Sequence, residues 1–204
     1  MIDLVVICVY DRVINLKRWL KLWAKCEQTA QLVVISGYQK GHTVNVPYFQ
    51  RPNQGMDIGK FQDVVLGRVP DFPDWNTMLW VNDDCFPVQP DFLSVYNKAL
   101  EDTSVGVACM CISHYVREHI RTTGYAIRKE VAQNLYWPVD PIMTREDCLN
   151  YEHTDPDNHL LQQVRNLGYK AIQVAADRTS PMIDLGYSRR DRRREMDLIR
   201  FEKS

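Results

Sequence analysis

The chain has 204 residues, and its 25 lysines and arginines nearly balance its 26 aspartates and glutamates, so its overall charge points to no nucleic-acid partner. Hydrophobic residues make up 45% of the sequence and include five tryptophans, which excludes a disordered chain and predicts one domain over residues 1–204. No apolar run approaches the roughly 20 residues of a membrane span. We therefore expect a soluble, cytoplasmic protein without a signal peptide or an integral membrane segment.

The first half of the chain alternates strand and helix patterns. Continuous apolar runs predict strands over residues 4–9, 31–36, 44–49 and 77–81. Helices are predicted after the first strand, where Leu16, Trp19, Leu20 and Trp23 share one face, and over residues 58–66 and 90–100. The six cysteines form no CxxC pair, and we expect free, mostly buried thiols.

The second half continues the alternation with weaker signals. Strands are predicted over residues 105–112 and 169–175, helices over 126–135 and 156–167, and an irregular acidic segment over 138–154. An arginine-rich tail follows from residue 188 and ends in a short helical pattern. The alternation predicts an α/β fold, Rossmann-like, with a mostly parallel central sheet flanked by helices.

An acidic turn directly follows the predicted strand at residues 77–81. It contains Asn82, Asp83 and Asp84, at the carboxyl end of a strand, where open α/β sheets bind ligands. Adjacent carboxylates repel one another unless a cation or hydrogen-bond donors compensate them. Two interpretations follow from the residues alone: a site for a hard divalent cation, or a polar turn closed by a side-chain hydrogen bond.

A hydrophobic strand that ends in such a triplet and is followed by a Pro-Asp helix resembles the DxD region of GT-A glycosyltransferases. The similarity is to family 2-like enzymes and to the small glycosyltransferase domains of large algal viruses, although Asn82 stands at the first triplet position. The resemblance implies Mn²⁺ or Mg²⁺ at Asp84 and nucleotide-sugar contacts from Asn82 and Asp83. It also implies a nucleotide-sugar half (1–100), an acceptor half (101–176) and a basic tail (177–204).

Two further segments fit a nucleotide-sugar site under the same resemblance. Tyr10, Asp11 and Arg12 follow the first strand, where the family grips the nucleotide base, although Asp11 would equally well cap the next helix. Asp57 lies in a segment with two glycines four residues apart, and is expected to meet a ribose or a donor hydroxyl. An ordinary strand-to-helix turn is the alternative there.

The general base is expected near the start of the helix predicted over 156–167. Counted back from its terminal glycine, Asp157 matches the second acid of the Glu-Asp motif of inverting GT-A enzymes, so the resemblance implies that Asp157 removes the acceptor proton. Glu152, His153 and His159 stay open as alternatives, and His153 is also a candidate metal ligand. Asp155 and Asp157 would otherwise serve as a helix cap and a dipole partner.

The resemblance therefore implies a metal-dependent glycosyltransferase. It would move a sugar from a nucleoside diphosphate sugar, with UDP favoured, to a carbohydrate, glycoprotein or glycolipid hydroxyl, with inversion. Two alternative functions remain. One is a sugar nucleotidyltransferase, which would be expected to carry a glycine-rich loop after the first strand. The other is a non-catalytic nucleotide- or carbohydrate-binding module.

Overall fold

The computed structural model describes residues 1–10, 12–37, 44–175, 179–188 and 192–204. In these ranges no helix combines the length and hydrophobicity that crossing a membrane requires. In chain order the elements are β1 (Leu4–Val9), α1 (Val13–Trp23), β2 (Gln31–Ser36), β3 (Tyr48–Gln50), α2 (Met56–Val65), β4 (Thr77–Asn82), β5 (Cys85–Pro87), α3 (Phe92–Ala99), β6 (Val105–Cys109), β7 (Ile112–Ser113), β8 (His119–Ile120), β9 (Gly124–Arg128), α4 (Lys129–Ala132), α5 (Arg145–Leu149), a π-helix (Asn150–Thr154), α6 (Leu160–Asn166), β10 (Lys170–Gln173), β11 (Met182–Asp184), α7 (Leu185–Ser188) and α8 (Arg192–Lys203).

The centre of the fold is a seven-stranded sheet in the order β10-β6-β9-β4-β1-β2-β3. Neighbouring strands pair in parallel except at β9, which runs antiparallel to both β4 and β6. The predicted α/β architecture with a mostly parallel sheet is confirmed. A parallel sheet needs cover on both faces, which explains why the strands read as continuous apolar runs.

Two hydrophobic cores lie on opposite faces of the sheet, and β1 contributes to both. Val5, Ile7 and Val9 belong to the core that contains α1, α3 and α8 residues. Leu4 and Val6 belong to the core that contains α2 and α6 residues. Burial on both faces fixes the register of the central strands, and with it the position of every side chain at their carboxyl ends.

Two small antiparallel pairs sit beside the main sheet. The strands β5 and β11 pair so that Asp184 lies opposite Cys85. The strands β7 and β8 form a hairpin in which Ser113 lies opposite His119. Both pairs carry polar side chains that matter for the candidate site.

The prediction of a helix over residues 126–135 is wrong, because the segment begins in β9 and only residues 129–132 form a helix. The strand β9 is buried between β4 and β6, with Tyr125 and Ile127 in one core and Ala126 in the other. A short apolar segment buried on both faces has no period that separates strand from helix.

The segment over residues 138–154, predicted to be irregular, contains α5 and the π-helix. Thr144 and Asp147 form a reciprocal capping box that begins α5. The next helix begins at Leu160 and not near residue 156. The Asp155 carboxylate accepts from the backbone N–H groups of Asp157 and Asn158, at 2.9 and 3.0 Å, and so closes a turn ahead of the helix.

The six cysteines are free thiols, as predicted, and five of them are buried. Burial raises the pKa of Cys8 to about 12. Such a thiol stays protonated at neutral pH and behaves as a small apolar side chain.

Candidate functional site

The carboxyl ends of β1 and β4 meet at one edge of the sheet. Cys8 of β1 is in register with Asn82 of β4, and the Asp83 N–H donates to the Cys8 carbonyl at 3.0 Å. The acidic turn after β4 therefore lies beside the segment that carries Tyr10 and Arg12. The parallel register brings these two sequence motifs together, as the position of ligand sites in α/β sheets predicts.

Asp84 faces a second carboxylate, Asp184. The pairing of β5 with β11 brings Asp184 alongside, and the Leu185 N–H donates to the Asp84 carbonyl at 3.0 Å. One carboxylate oxygen from each aspartate and the Cys85 sulfur lie within 4.8 Å of one another. We call Asp84 and Asp184 the aspartate pair.

Burial and neighbouring charges both act on the aspartate pair. Burial first, and then the charge of Asp184, raise the pKa of the Asp84 carboxyl above its usual value. Arg12 and Arg121 oppose this shift. Each forms an ion pair with one member, with Arg12 Nη1 3.6 Å from Asp84 Oδ2 and Arg121 Nη2 3.8 Å from Asp184 Oδ2. A cation between the carboxylates would remove their repulsion.

Gly186 leaves space in front of the aspartate pair. A Cβ atom at this position would lie 3.1 Å from Asp184 Oδ1 and 3.2 Å from Asp84 Oδ2. The absence of a side chain at Gly186 therefore leaves room beside one oxygen atom of each carboxylate. Two carboxylate ligands with room for further oxygens fit the way proteins bind Mg²⁺ or Mn²⁺ with substrate phosphates. The buried thiol of Cys85, whose pKa burial raises well above its usual value, is a poor ligand for such hard ions.

A side-chain hydrogen bond between Asn82 and Asp57 links β4 to α2. Asn82 Nδ2 donates to Asp57 Oδ2 at 3.1 Å, and burial raises the pKa of Asp57. The buried amide oxygen Oδ1 of Asn82 has no hydrogen-bond partner among the described residues. Asn82 and Asp57 therefore form a unit that offers oxygen atoms to a ligand.

The glycines of the Asp57 segment have a packing explanation. Gly55 has a φ of +67°, and a Cβ there would lie 2.3 Å from the Ile142 carbonyl oxygen. A Cβ on Gly59 would lie 2.4 Å from the Gln54 carbonyl oxygen. The close approach that these glycines permit is therefore to backbone of the same chain.

A pocket of about 740 Å³ lies beside the aspartate pair, and Arg121 is part of its wall. Its lining residues come mainly from the β7–β8 hairpin and the π-helix: Cys111, Ile112, Ser113, His114, Tyr115, His119, Arg121, Glu152, His153 and Gln173. Tyr115 and Val116 at the hairpin loop are 78% and 63% exposed. Val116 has a φ of +66°, a strained value for a β-branched residue of a kind that clusters at functional sites.

Two histidines and a glutamate cluster in this pocket. One ligand atom each from His119, Glu152 and His153 lie within 4.8 Å of one another. We call these residues the histidine cluster. Burial lowers the pKa of His119, which keeps its imidazole neutral near pH 7. Burial also lowers the pKa of the neighbouring His159.

The predicted site residues fall into three groups. One group lies at the carboxyl ends of β1 and β4 and contains Arg12, Asp57, Asn82, Asp83 and Asp84. Tyr10 directly follows β1 and is 55% exposed. His153 belongs to the histidine cluster, so the two predicted metal ligands, Asp84 and His153, lie in different groups. Asp157 is exposed in the turn before α6, and Asp11 lies outside the described residues.

Sequence reasoning missed Asp184, His119 and Arg121. Asp184 follows a short apolar segment, as Asp84 does, and this pattern of an acid at a strand end was the available signal. His119 is the first residue of the two-residue strand β8 and Arg121 directly follows it, and this strand is too short to give a periodic signal.

One arginine of the basic tail has a packing role. Arg194 is buried, and its Nη2 donates to the carbonyls of Ser180 and Met182 at 2.7 and 2.9 Å. These bonds anchor α8 to the start of β11, the strand that ends in Asp184. The tail therefore supports the position of the aspartate pair.

Comparison with solved structures finds similar folds with little sequence identity. The mannosyltransferase PcManGT from Pyrobaculum calidifontis, solved with GDP-Man and Mn²⁺, matches with a TM-score of 0.60 and 13% identity over 84% of this chain and 54% of its own. A CMP:2-keto-3-deoxy-manno-octonic acid synthetase, solved with CTP, matches with a TM-score of 0.58 and 10% identity over 99% of this chain and 100% of its own. Neither a family model nor a curated protein sequence matches.

These comparisons show that the fold is GT-A-like. The chain spans about half the length of the mannosyltransferase. At such low sequence identity the similarity shows the fold alone, so the activity is argued from the residues of the site.

Proposed function

We propose that the chain is a metal-dependent glycosyltransferase that uses a nucleoside diphosphate sugar. The observation that carries the proposal is the aspartate pair, held at the carboxyl end of β4 with the side-chain-free Gly186 in front of it. Asp84 and Asp184 would each give a carboxylate oxygen to Mn²⁺ or Mg²⁺. When bound, such an ion stabilises negative charge on the departing diphosphate.

The chain's own residues would orient the donor. Tyr10 presents an exposed ring on which a nucleotide base could stack, and Arg12 lies close enough to Asp84 to pair with a diphosphate oxygen. The carboxylates of Asp57 and Asp83 and the amide oxygen of Asn82 would accept hydrogen bonds from ribose and sugar hydroxyls. Residues 1–100 would then form the nucleotide-sugar side, with Asp184 supplied from the end of the chain.

The acceptor would enter the pocket between the β7–β8 hairpin and the π-helix. Its wall reaches Arg121, which lies near Asp184, so an acceptor there would approach the donor bound at the aspartate pair. Tyr115 offers an exposed aromatic face at the rim, suited to the apolar face of a carbohydrate ring. This supports residues 101–176 as the acceptor side.

We propose Asp157 as the general base, with Glu152 as its competitor. Asp157 is exposed and precedes by two residues the buried His159, whose pKa is lowered in part by the charge of His119. Glu152 lies inside the pocket wall. Either carboxylate could take the acceptor proton during an inverting transfer, and single variants distinguish them.

The experiment is a donor-turnover assay with UDP-sugars and GDP-sugars, with and without Mn²⁺. We expect metal-dependent release of the nucleoside diphosphate, lost in Asp84→Asn and Asp184→Asn. The matched control is Asp91→Asn, which removes an exposed carboxylate outside the aspartate pair and the histidine cluster. Nucleotide binding without turnover in any acceptor screen would instead indicate a binding module.

A sugar nucleotidyltransferase is the second candidate, because the fold of the CMP:2-keto-3-deoxy-manno-octonic acid synthetase matches this chain over its whole length. Against it, the residues after β1, Tyr10 to Arg12, include no glycine and so no glycine-rich phosphate loop. Release of pyrophosphate from a nucleoside triphosphate in the presence of a sugar or sugar phosphate, without turnover of diphosphate sugars, would favour this candidate.

A further inference from the structure

The histidine cluster combines residues from two elements that form the pocket wall. His119 belongs to β8, and Glu152 and His153 belong to the π-helix. The imidazole rings of His119 and His153 lie 4.8 Å apart, centre to centre. π-helical turns are rare and often occur at functional sites. This one brings the consecutive side chains of Glu152 and His153 close to His119.

The tautomer of His119 is fixed by its surroundings. Its Nδ1 lies 2.8 Å from the carbonyl oxygen of Arg117, and since a carbonyl only accepts, Nδ1 carries the proton. The remaining nitrogen, Nε2, then has a free lone pair. This is the arrangement by which proteins orient a metal-binding histidine, with the second nitrogen donating to a backbone carbonyl.

The other two residues leave ligand atoms available. The buried Nδ1 of His153 has no hydrogen-bond partner among the described residues, and its distance from Glu152 Oε2 is 3.4 Å. The side chains of Glu152 and His153 keep 20% and 13% of their surface exposed, so the cluster is reachable from the pocket. Arg121 also lines this pocket, and its Nη2 lies 3.8 Å from Asp184 Oδ2.

We propose that His119, Glu152 and His153 bind a transition-metal ion of the Zn²⁺ class at a site separate from the aspartate pair. Two imidazoles and one carboxylate form a set that suits Zn²⁺, Co²⁺ or Ni²⁺, whereas Mg²⁺ and Mn²⁺ prefer oxygen ligands. Three protein ligands leave a position that opens on the pocket. The ion would join β8 to the π-helix, and it would engage Glu152 as a ligand, which leaves Asp157 as the base.

The proposal does not rest on the transfer reaction, so its test measures metal binding alone. Purified full-length chain is titrated with Zn²⁺ by calorimetry and with Co²⁺ by visible absorption, in wild type and in Glu152→Gln and His153→Asn. His114→Asn removes an exposed imidazole from the same pocket and is the matched control. Circular dichroism checks that each variant is folded.

We expect stoichiometric Zn²⁺ in wild type and in the control, and a Co²⁺ spectrum without thiolate charge-transfer bands. Glu152→Gln and His153→Asn should each weaken binding by more than about 100-fold, since loss of even an outer partner typically costs 10–100-fold. The double variant Asp84→Asn/Asp184→Asn should keep this binding. Zn²⁺ affinity that is absent in wild type, or unchanged in Glu152→Gln and His153→Asn, would overturn the proposal.

Discussion

The aspartate pair and the histidine cluster lie beside one another but differ in ligand chemistry and in how the fold assembles them. The aspartate pair offers carboxylate oxygens, and its second member arrives through the β5–β11 pairing. The histidine cluster offers two imidazoles and one carboxylate from β8 and the π-helix. The difference in ligand atoms therefore predicts two different ions, a hard one at the aspartate pair and a softer one at the histidine cluster.

The largest effect is expected from removing one carboxylate of the aspartate pair. Asp184→Asn should lower Mn²⁺-dependent turnover by about 10²–10³-fold, the scale seen when one transition-state charge stabiliser is lost. Steady-state kinetics across a Mn²⁺ series measure it. An Asp184→Asn enzyme as active as Asp91→Asn would remove Asp184 from the metal site.

The two candidate bases give the next largest effect. Asp157→Asn should reduce kcat by about 10²-fold, the lower range for a general base, while UDP and Mn²⁺ binding stay unchanged. Single-turnover kinetics with saturating donor separate this loss from binding. If Glu152→Gln abolishes turnover at full metal content while Asp157→Asn retains it, Glu152 is the base.

A smaller effect on Mn²⁺ binding is expected from adding a side chain at Gly186, beside the aspartate pair. Gly186→Ala adds a Cβ at 3.2 Å from Asp84 Oδ2 and should weaken Mn²⁺ binding by roughly tenfold, less than the loss of a ligand. The new Cβ requires the two carboxylates to shift by a few tenths of an ångström, which opposes the helix preference of alanine over glycine, so we expect little net change in stability. Calorimetric Mn²⁺ titration beside a thermal melt tests both parts, and unchanged Mn²⁺ affinity would contradict the assigned space.

The smallest effect concerns metal-free stability. The folded state raises the pKa of Asp84, so its ionised form costs stability at neutral pH, and this cost fades as the pH falls through the folded-state pKa. Asp84→Asn should therefore raise the metal-free melting temperature at pH 7 by on the order of a few degrees. Melting curves at pH 7 and pH 4 check it, with Mn²⁺ expected to stabilise wild type only. A variant that melts lower than wild type at pH 7 without metal would contradict this sign.

The sequence predicted the central architecture because the strands are buried on both faces and read as apolar runs. It also predicted that the acidic turn with Asn82 lies at the same sheet edge as the segment after β1, since the carboxyl ends of parallel strands meet there. It missed β9, whose buried residues carry no distinguishing period. It missed Asp184, because the pairing that brings this residue to Asp84 is a tertiary contact that no local pattern encodes.

The histidine cluster shows the same limit. Glu152 and His153 were visible as alternatives, but the segment around them was predicted to be irregular and instead forms a π-helix. Their third partner, His119, comes from a hairpin of two-residue strands that sequence pattern does not detect. The sequence shows which residue types are present, whereas the fold determines which side chains lie together.

The most direct test is calorimetric titration of UDP and of GDP into wild type and into Asp84→Asn, each with and without Mn²⁺. We predict that one of the two nucleotides binds wild type in a Mn²⁺-dependent manner and that Asp84→Asn loses the Mn²⁺ dependence. Absence of nucleotide binding with and without metal, or equal Mn²⁺-dependent binding by Asp84→Asn, would contradict a metal site for a nucleotide sugar at the aspartate pair.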